Sequence, residues 1–178
     1  MAQTVKFTKV RDVKSPVRGT GQAAGIDFFV PNYSPSFLVD LIKKNPGIEV
    51  VIDSNDSNDN TMHIFIKPQC RVLIPSGIKT FMDPDTALIG ANKSGVSSKK
   101  GLVFGAHVID SDYSGEVHIN VINTSDENVV VTCGEKLIQF IHTPVILSTL
   151  EEVSITEYET LHANSVRGEG GFGSTGSH

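Results

Sequence analysis

The sequence predicts an all-β fold, a sandwich, jelly roll or barrel made of short strands. Apolar runs rich in β-branched residues recur through most of the chain, and clusters of Gly, Pro, Asn and Asp separate them at close spacing. The clearest run, EVHINVIN at 116–123, alternates strictly between apolar and polar residues. Its residues Val117, Ile119 and Val121 are therefore predicted to face the core.

Six further runs predict strands, and one segment predicts a helix. The strands are VKFTKV (5–10), IEVVI (48–52), MHIFI (62–66), CRVLI (70–74), ENVVVTC (127–133) and KLIQFIHTPVIL (136–147). Ser34 and Pro35 are suited to the N-cap and first turn of a short helix, FLVDLIKK, which the sequence NPG at 45–47 ends. Its predicted apolar face contains Phe37, Leu38, Leu41 and Ile42.

Length and composition limit the class of protein. At 178 residues the chain suits one domain with a substantial core, and its net charge of −5 argues against general nucleic-acid binding. No run approaches the roughly 18–20 apolar residues of a membrane span, and the N-terminus lacks the apolar block of a signal peptide. Cys70 and Cys133 fit neither a disulfide framework nor a zinc site, so we expect buried free thiols and a cytoplasmic location.

The C-terminal segment RGEGGFGSTGSH is the densest glycine region of the chain. It contains a cation at Arg167, an aromatic ring at Phe172 and hydroxyls at Ser174 and Thr175. A segment so rich in glycine cannot build a core, but its backbone can fold closely around a ligand. It lacks the flanking elements of a P-loop or a Rossmann turn. The alternatives are a mobile lid over a nucleotide site built elsewhere and a flexible polar tail or cloning scar.

The segment HVIDSDYSGEV at 107–117 offers a candidate general base. In an extended backbone Asp110 and Asp112 point to the same side. The apolar approach through Val108 and Ile109 predicts that Asp110 is buried, which is costly for a carboxylate unless it orients a water as a base. An ordinary hairpin turn is the alternative.

Three other segments carry candidate ligand-binding residues. In ANKSGVSSKKG (91–101), Lys93, Ser94 and Gly95 provide a cation, a hydroxyl and backbone amides for a phosphate, with a solvated basic loop as the alternative. Asp27, inside the apolar run AAGIDFFVP, either accepts hydrogen bonds from the backbone or belongs to a metal–water shell. Gln139, inside the apolar strand GEKLIQFI, needs a partner from the fold or from a ligand.

Taken in order, AGIDF, NKSGVSSKKG, HVIDSDYSGEV, GEKLIQF and RGEGGFGSTG resemble the five motifs of the trimeric dUTPases, from residue 24 to residue 176. The resemblance implies a β jelly roll, or distorted β-barrel, assembled as a homotrimer with active sites between subunits. It further implies one β domain over residues 1–163, and a lid over residues 164–178 that closes on a neighbouring subunit's site.

The resemblance also implies an activity, the hydrolysis of dUTP to dUMP and pyrophosphate. This reaction keeps uracil out of DNA and supplies dUMP for thymidylate synthesis in pyrimidine deoxyribonucleotide metabolism. Asp110 is the implied catalytic base, activating a water that attacks the α-phosphorus. Mg²⁺ is the implied cofactor, held mainly by the phosphates and waters, with Asp27 reaching it through a water.

The implied substrate contacts come from four regions. Tyr113 packs on the deoxyribose and leaves no room for a 2′-hydroxyl, while the backbone of a hairpin around 105–110 pairs with uracil. Phe172 lies over the uracil, and Arg167 takes the γ-phosphate. The full implied substrate-binding set is Lys93, Ser94, Gly95, Ala106, His107, Val108, Tyr113, Gln139, Arg167, Phe172, Gly173, Ser174 and Thr175.

The chain departs from the family pattern at four places. Lys93 and Lys136 stand where arginine is usual, and His107 stands where glycine is common. Residues from about 33 to 62, the predicted helix and the polar loop DSNDSNDN, are interpreted as an insertion. The insertion is either a surface elaboration or a protein-contact element, and it favours a phage or bacterial origin.

Two other functions are compatible with the fold. A dCTP deaminase shares the fold and the trimer, but the DSDY segment and the glycine-rich tail favour pyrophosphate release. A nucleotide-gated regulator binds dUTP as a signal, whereas a retained Asp110 favours catalysis.

Overall fold

Antiparallel strands dominate residues 3–53 and 61–171, which are the residues that the computed structural model describes. The strands are β1 (Lys6–Lys9), β2 (Val17–Arg18), β3 (Gly25–Phe28), β4 (Ile48–Asp53), β5 (Thr61–Ile66), β6 (Arg71–Pro75), β7 (Ile78–Phe81), β8 (Thr86–Asn92), β9 (Leu102–Phe104), β10 (Val108–Asp110), β11 (His118–Asn123), β12 (Val129–Thr132) and β13 (Ile138–Pro144). The helices are α1 (Pro35–Lys44), α2 (Ser94–Lys100) and α3 (Ile155–Leu161).

The strands form four antiparallel sheets. A five-stranded sheet has the order β10-β8-β13-β3-β2, two three-stranded sheets have the orders β6-β11-β9 and β12-β5-β4, and β1 pairs with β7. Each of the seven strands predicted from the sequence is present within a few residues of its expected bounds. The sequence analysis did not predict several of the other strands, among them β2, β7, β8 and β9. Of these, β8 pairs with both β10 and β13.

The core gathers buried residues from α1 and from the three larger sheets, the five-stranded sheet and the sheets β6-β11-β9 and β12-β5-β4. The predicted inner face of the β11 run is confirmed, since Val117, Ile119 and Val121 are all buried. Phe140 of β13 packs edge-on against Phe104 of β9, with ring centroids 5.8 Å apart. A Cβ on Gly90 would overlap the Phe104 ring, so β8 needs glycine at this crossing.

Helix α1 forms where the sequence predicts it. The Ser34 hydroxyl accepts a hydrogen bond from the Phe37 amide at 3.2 Å, as an N-cap does. Phe37, Leu38 and Leu41 are buried as predicted, but Ile42 is 43% exposed and lies outside the apolar face.

Asn45, which ends α1, attaches this helix to β6. Its buried side-chain amide donates to the carbonyls of Leu41 (2.8 Å) and Leu73 (3.3 Å), and its Oδ1 accepts from the Leu73 amide at 2.8 Å. Every polar atom of this buried side chain is therefore satisfied.

The segment interpreted as an insertion is built into the core. Strand β4 pairs along its whole length with β5, from Ile48 opposite Ile66 to Asp53 opposite Thr61. The buried residues of α1 belong to the same hydrophobic cluster as Ile64 and Ile66. The segment is thus more than a surface elaboration. Its polar loop at 54–60 lies outside the described residues.

Helices α2 and α3 were not predicted from the sequence. Helix α2 has no buried residue, so its sequence SGVSSKK shows no apolar periodicity. Its end at Gly101, with φ of 64°, uses the left-handed conformation that glycine favours. Helix α3 is capped by the Ser154 hydroxyl, which accepts from the Glu157 amide, and it also has no buried residue.

The chain divides into two compact units, at residues 1–146 and 147–178. Helix α3 belongs to the second unit, so the boundary lies upstream of the expected start of the lid at residue 164. None of the described helices is long and apolar enough to cross a membrane. Cys70 and Cys133 are free thiols and only half buried, and burial raises the pKa of Cys133.

Candidate active site

Three of the candidate segments meet on the five-stranded sheet. Gln139 of β13 lies directly opposite Asp27 of β3 on one side and opposite Ala91 of β8 on the other. Lys93 follows the end of β8, and Lys136 precedes β13. The sheet register therefore collects Asp27, Lys93, Lys136 and Gln139, which we call the ionic cluster.

Asp27 is the anionic centre of the ionic cluster. Its carboxylate is almost fully buried and accepts hydrogen bonds from Lys93 Nζ at 2.5 Å and from Lys136 Nζ at 3.1 Å, one at each oxygen. Burial alone would raise the pKa of Asp27, but the two lysines outweigh it and lower the pKa below its ordinary value. Both described contacts of the Asp27 carboxylate are thus with lysines. The sequence analysis did not consider lysines as its partners.

The two lysines leave the ionic cluster with a positive excess. Two ammonium groups surround one carboxylate, and the side chains of Lys93 and Lys136 remain 24% and 42% exposed. Lys136 Nζ also lies 5.9 Å from the Phe29 ring centroid. Each lysine contacts a single carboxylate oxygen, because an ammonium cannot make the planar fork of arginine. The ionic cluster is therefore a local positive patch on a chain whose net charge is −5.

Ser94 and Gly95 lie beside the ionic cluster in the first turn of α2. Lys93 is the N-cap residue of this helix, without a side-chain capping bond. Ser94 and Gly95 are both exposed, and no atom lies within 4 Å of the place where a Cβ on Gly95 would be. This surface has room for a ligand.

Gln139 is held in place by its neighbours. Its Nε2 donates to the Asn92 carbonyl at 3.0 Å, so the partner that the sequence analysis required is supplied by the fold. Its amide lies so close to Gly25 that a Cβ there would overlap it. Asn92 in turn accepts a hydrogen bond from the Phe104 amide at 2.6 Å. No sequence pattern distinguished Asn92, because both of its contacts are long-range.

Asp110 is exposed, which corrects the prediction that it is buried. Within the described part of the chain, strand β10 pairs on one side only, with β8. Alternation in this short strand turns Ile109 toward the core. Val108 (59% exposed) and Asp110 consequently face away from it.

Asp110 begins a tight turn (residues 110–113), which we call the catalytic turn after the role that the motif resemblance implies for Asp110. The Tyr113 amide donates to the Asp110 carbonyl at 3.2 Å, and the Ser111 hydroxyl donates to the Pro84 carbonyl at 3.1 Å. Asp112 lies inside this turn, so it is not one strand period from Asp110. The turn is not part of a hairpin, because β10 pairs with β8 while β11 pairs with β6 and β9.

Residues 105–107 connect two sheets and do not form the expected hairpin. The His107 carbonyl accepts from the Gly90 amide at 2.6 Å, and its Nδ1 lies 3.0 Å from the Gly90 carbonyl. The His107 ring packs edge-on against Phe104, with centroids 5.2 Å apart. The side chain of His107, which stands where glycine is common, therefore contacts β8. The neighbouring Ala106 is exposed.

Tyr113 presents an open ring at the end of the catalytic turn. The ring is 42% exposed and lies against Gly115, where a Cβ would overlap its hydroxyl end. The hydroxyl donates to the Glu116 carbonyl at 3.0 Å.

The catalytic turn and the ionic cluster are separate within one chain. Asp110 lies opposite Ala87 of β8, whereas Gln139 lies opposite Ala91. Four residues along a strand correspond to about 13 Å. One chain therefore presents two groups of site residues that do not touch.

Arg167 lies in the second unit and contacts its own segment. Its Nε donates to the Gly170 carbonyl at 2.7 Å, while the Gly170 amide donates to the Arg167 carbonyl at 3.1 Å. Gly168 uses a positive φ of 52° in this turn. Phe172, Gly173, Ser174 and Thr175, the other proposed lid residues, lie outside the described residues.

Comparison with solved structures defines the class of fold. The dUTPase of Staphylococcus bacteriophage 80alpha, solved as a point mutant with dUpNHpp, matches with a TM-score of 0.68 over 97% of this chain and 98% of that chain, at 21% identity. A point mutant of the dUTPase from phage phi11 of S. aureus, whose structure describes coordination of a structural Mg(II) ion, matches with a TM-score of 0.61 over 86% and 99%, at 19% identity. The predicted all-β, jelly-roll-type fold is confirmed.

Sequence comparison then gives the family. The dUTPase family profile matches residues 60–176, more than half of the chain. The deoxyuridine 5′-triphosphate nucleotidohydrolase of Legionella pneumophila (strain Paris) is 40% identical over 117 residues, which cover 64% of this chain and 72% of the relative. The chain belongs to the dUTPase family, as its five motifs predicted.

Proposed function

We propose that this protein hydrolyses dUTP to dUMP and pyrophosphate, which limits uracil incorporation into DNA and supplies dUMP. Membership of the dUTPase family supports this activity. The observation that carries the proposal is the state of Asp110. It is exposed at a sheet edge, and its carboxylate forms no ion pair among the described residues. A carboxylate in this state is open to contact by a water or a ligand.

In the proposed mechanism Asp110 is the catalytic base. It orients a water and takes its proton while the water oxygen bonds to the α-phosphorus. The bond between the α-phosphorus and the bridging oxygen of the β-phosphate breaks, and pyrophosphate leaves. The tight turn at residues 110–113 fixes the position of the base.

The ionic cluster is the proposed binding site of the triphosphate. Lys93 and Lys136 carry the positive charge, with Asp27 holding both in place, and Gln139 is fixed by Asn92 and Gly25. Ser94 and Gly95 add a hydroxyl and an exposed backbone at the same edge. The lid contributes Arg167 to the γ-phosphate and Gly173, Ser174 and Thr175 to the phosphates.

Mg²⁺ is the proposed cofactor, and the residues fit an ion held mainly by the substrate. No group of three or more His, Cys, Asp or Glu side chains that could hold a metal occurs in the described parts of the chain. The triphosphate and water would therefore supply most ligands. Asp27, whose two oxygens already accept from Lys93 and Lys136, would contact the ion only through a water. When bound, the ion neutralises phosphate charge and fixes the phosphate geometry.

Specificity is proposed to come from Tyr113 and the connection at residues 106–108. The exposed face of the Tyr113 ring supports the deoxyribose and excludes a 2′-hydroxyl. The backbone of Ala106, His107 and Val108 pairs with uracil, and Phe172 covers the base. The His107 carbonyl already accepts from the Gly90 amide, so it is not available for this pairing.

A homotrimer with shared sites is the proposed assembly. The separation of the catalytic turn from the ionic cluster supports it, since one chain alone does not bring the base to the phosphates. The apolar side chains of Ile146, Leu147 and Leu150, which are 92%, 74% and 95% exposed, need cover from another molecule. A cytoplasmic location is proposed from the two free thiols.

The variant Asp110→Asn tests the mechanism. Turnover of dUTP should fall about 1000-fold while binding of dUpNHpp remains nearly unchanged, because only the base is lost. Asp126→Asn, at an exposed acid outside the proposed site, is the matched control. Normal turnover by Asp110→Asn would exclude Asp110 as the base.

Product analysis separates the rival functions. Incubation of the unaltered protein with dUTP should release pyrophosphate. Ammonia release from dCTP would instead identify a deaminase, and tight dUTP binding without turnover would identify a regulator.

A protein-contact role for the segment at 33–62 remains a prediction. Deletion is unsuited to test it, because α1 and β4 contribute to the core. Val39 and Ile42, which are 51% and 43% exposed, are the better sites for surface substitutions in pull-down experiments.

A further inference from the structure

Glu116, just after the catalytic turn, is held by two groups distant in sequence. Arg11 forms a two-pronged ion pair with it, Nε to Oε1 at 2.7 Å and Nη2 to Oε2 at 3.0 Å. The Gly77 amide donates to the same carboxylate at 2.7 Å. The Glu116 side chain is only 14% exposed, so this pairing is partly shielded from solvent.

The backbone of Glu116 in turn fixes Tyr113. Its carbonyl accepts the Tyr113 hydroxyl at 3.0 Å, and His118 Nδ1 lies 2.8 Å from the same oxygen. The Tyr113 ring rests on Gly115 on one side and is otherwise open. The position of the ring therefore depends on where the Glu116 carbonyl lies.

Arg11 is itself supported from α1. Its guanidinium lies 5.2 Å from the centroid of the Phe37 ring, which is buried in the core. A continuous series of contacts runs from Phe37 through Arg11 and Glu116 to Tyr113. We call it the Arg11 brace.

We propose that Arg11 is a positioning residue for Tyr113 and thereby sets discrimination between deoxyribose and ribose nucleotides. The inference rests on the proposed function, in which the Tyr113 ring supports the sugar. Exclusion of one hydroxyl by a ring requires the ring to be held within a fraction of an ångström. Without the guanidinium, Glu116 loses two of its three side-chain hydrogen bonds, and its carbonyl is free to shift with the Tyr113 hydroxyl.

The test compares the specificity of Arg11→Gln and Arg11→Lys with that of the unaltered protein. The ratio of kcat/KM for dUTP to kcat/KM for UTP should fall about 10- to 100-fold in Arg11→Gln, since small misplacements of contact groups have effects of this order. Arg11→Lys keeps the charge but not the two-pronged geometry, so its ratio should lie between those of Arg11→Gln and the unaltered protein.

Lys67→Gln is the matched control. It removes another ion pair, that of Lys67 with Glu49 at 2.8 Å, which lies in the sheet of β4 and β5. Its dUTP/UTP ratio should be unchanged. An equal fall in this control would attribute the effect to general loosening and overturn the proposal.

The variant Tyr113→Phe tests whether Arg11 affects the dUTP/UTP ratio through the Tyr113 hydroxyl. It removes only the hydroxyl that the brace holds, so Arg11→Gln/Tyr113→Phe should discriminate no worse than Tyr113→Phe alone. Additive losses in the double variant would overturn the proposal, as would an unchanged ratio in Arg11→Gln. Thermal unfolding shows whether each variant is folded. If Arg11→Gln does not fold, the dUTP/UTP ratio of Arg11→Lys decides the test. Failure of the unaltered protein to hydrolyse dUTP would refute the proposed function, not the brace.

Discussion

The ionic cluster and the catalytic turn are built in opposite ways. In the ionic cluster the carboxylate is buried and both of its oxygens accept from lysines. In the catalytic turn the carboxylate is exposed and bonded to no cation among the described residues, while backbone and hydroxyl contacts fix the turn around it. One region is completed by its own chain and the other is left open.

This difference matches the proposed roles of the two regions, phosphate binding for the ionic cluster and proton transfer for the catalytic turn. A phosphate site gains from charges that are already in place, because they need not reorganise when the ligand arrives. A general base must instead keep its proton-accepting oxygen free until substrate and water are present. The distance between the two regions along β8 fits the proposed sharing of sites between chains.

The largest expected effect comes from mixing two inactive variants. Asp110→Asn lacks the proposed base, and Lys93→Met lacks a proposed phosphate contact, so each alone should have little activity. If sites are shared between subunits, co-refolded equal mixtures should recover about a quarter of the normal sites, since random assembly pairs an intact turn with an intact cluster that often. Turnover of dUTP measures the recovery. No recovery in co-refolded mixtures, with trimers verified by size, would place both regions of a site on one chain.

Removing both lysines should destabilise the fold, whereas removing the base should not. Lys93→Met/Lys136→Met leaves the buried Asp27 without a cation and should cost about 3 kcal/mol, more than the sum of the single variants. Urea unfolding of the singles, the double and Asp110→Asn provides the measurement. Equal stability of the double variant and the unaltered protein would mean that Asp27 is not held as the contacts indicate.

Gly25→Ala should disturb the ionic cluster locally. The new Cβ overlaps the Gln139 amide and lies 2.9 Å from the Gln139 Cβ, so the side chain must move away from Asn92. We expect kcat/KM for dUTP to fall about tenfold and stability to fall by about 1–2 kcal/mol. Gly21→Ala, where no atom lies within 4 Å, serves as the control. Full activity of Gly25→Ala would separate Gln139 from substrate binding.

The smallest expected effect concerns stability at alkaline pH, and it comes from Tyr33, a residue outside both the ionic cluster and the catalytic turn. Burial raises the pKa of Tyr33, with further contributions from Cys133 and Glu135, so the folded state keeps the phenol proton. Its contribution to stability is complete below the ordinary pKa near 10 and is lost as the pH rises above it. Urea unfolding between pH 8 and 11 should show a loss of up to about 1.4 kcal/mol per pH unit that Tyr33→Phe removes. The same loss in Tyr33→Phe would assign it to other groups, such as lysines.

The sequence predicted those parts of the fold that depend on local periodicity. Alternation revealed β11, and the cap and apolar spacing revealed α1. Helix α2 escaped notice because it buries nothing, and β8 because its run TALIGAN includes small residues that accommodate Phe104. Local patterns do not record packing against distant residues.

The sequence analysis chose the candidate site residues by residue type and motif, and it did not foresee their burial or their contacts. Motif resemblance named Asp27, Asp110 and Gln139, but the expected burial of Asp110 was wrong because β10 is an edge strand. The lysine partners of Asp27 depend on the register of three strands, which a sequence pattern does not reveal. Arg11 and Glu116 are far apart in sequence, so nothing local linked them.

The side-chain amide of Asn45 affects whether separate molecules of this protein associate through their strand edges. Among the described strands β6 has a neighbour on one side only, and Asn45 occupies the amide and carbonyl of Leu73 on its other side. An unpaired strand edge is a template on which another chain can add and aggregate. By imitating a peptide group at this point, one asparagine closes the edge to foreign strands. Replacing it would first be noticed as loss of solubility at high concentration.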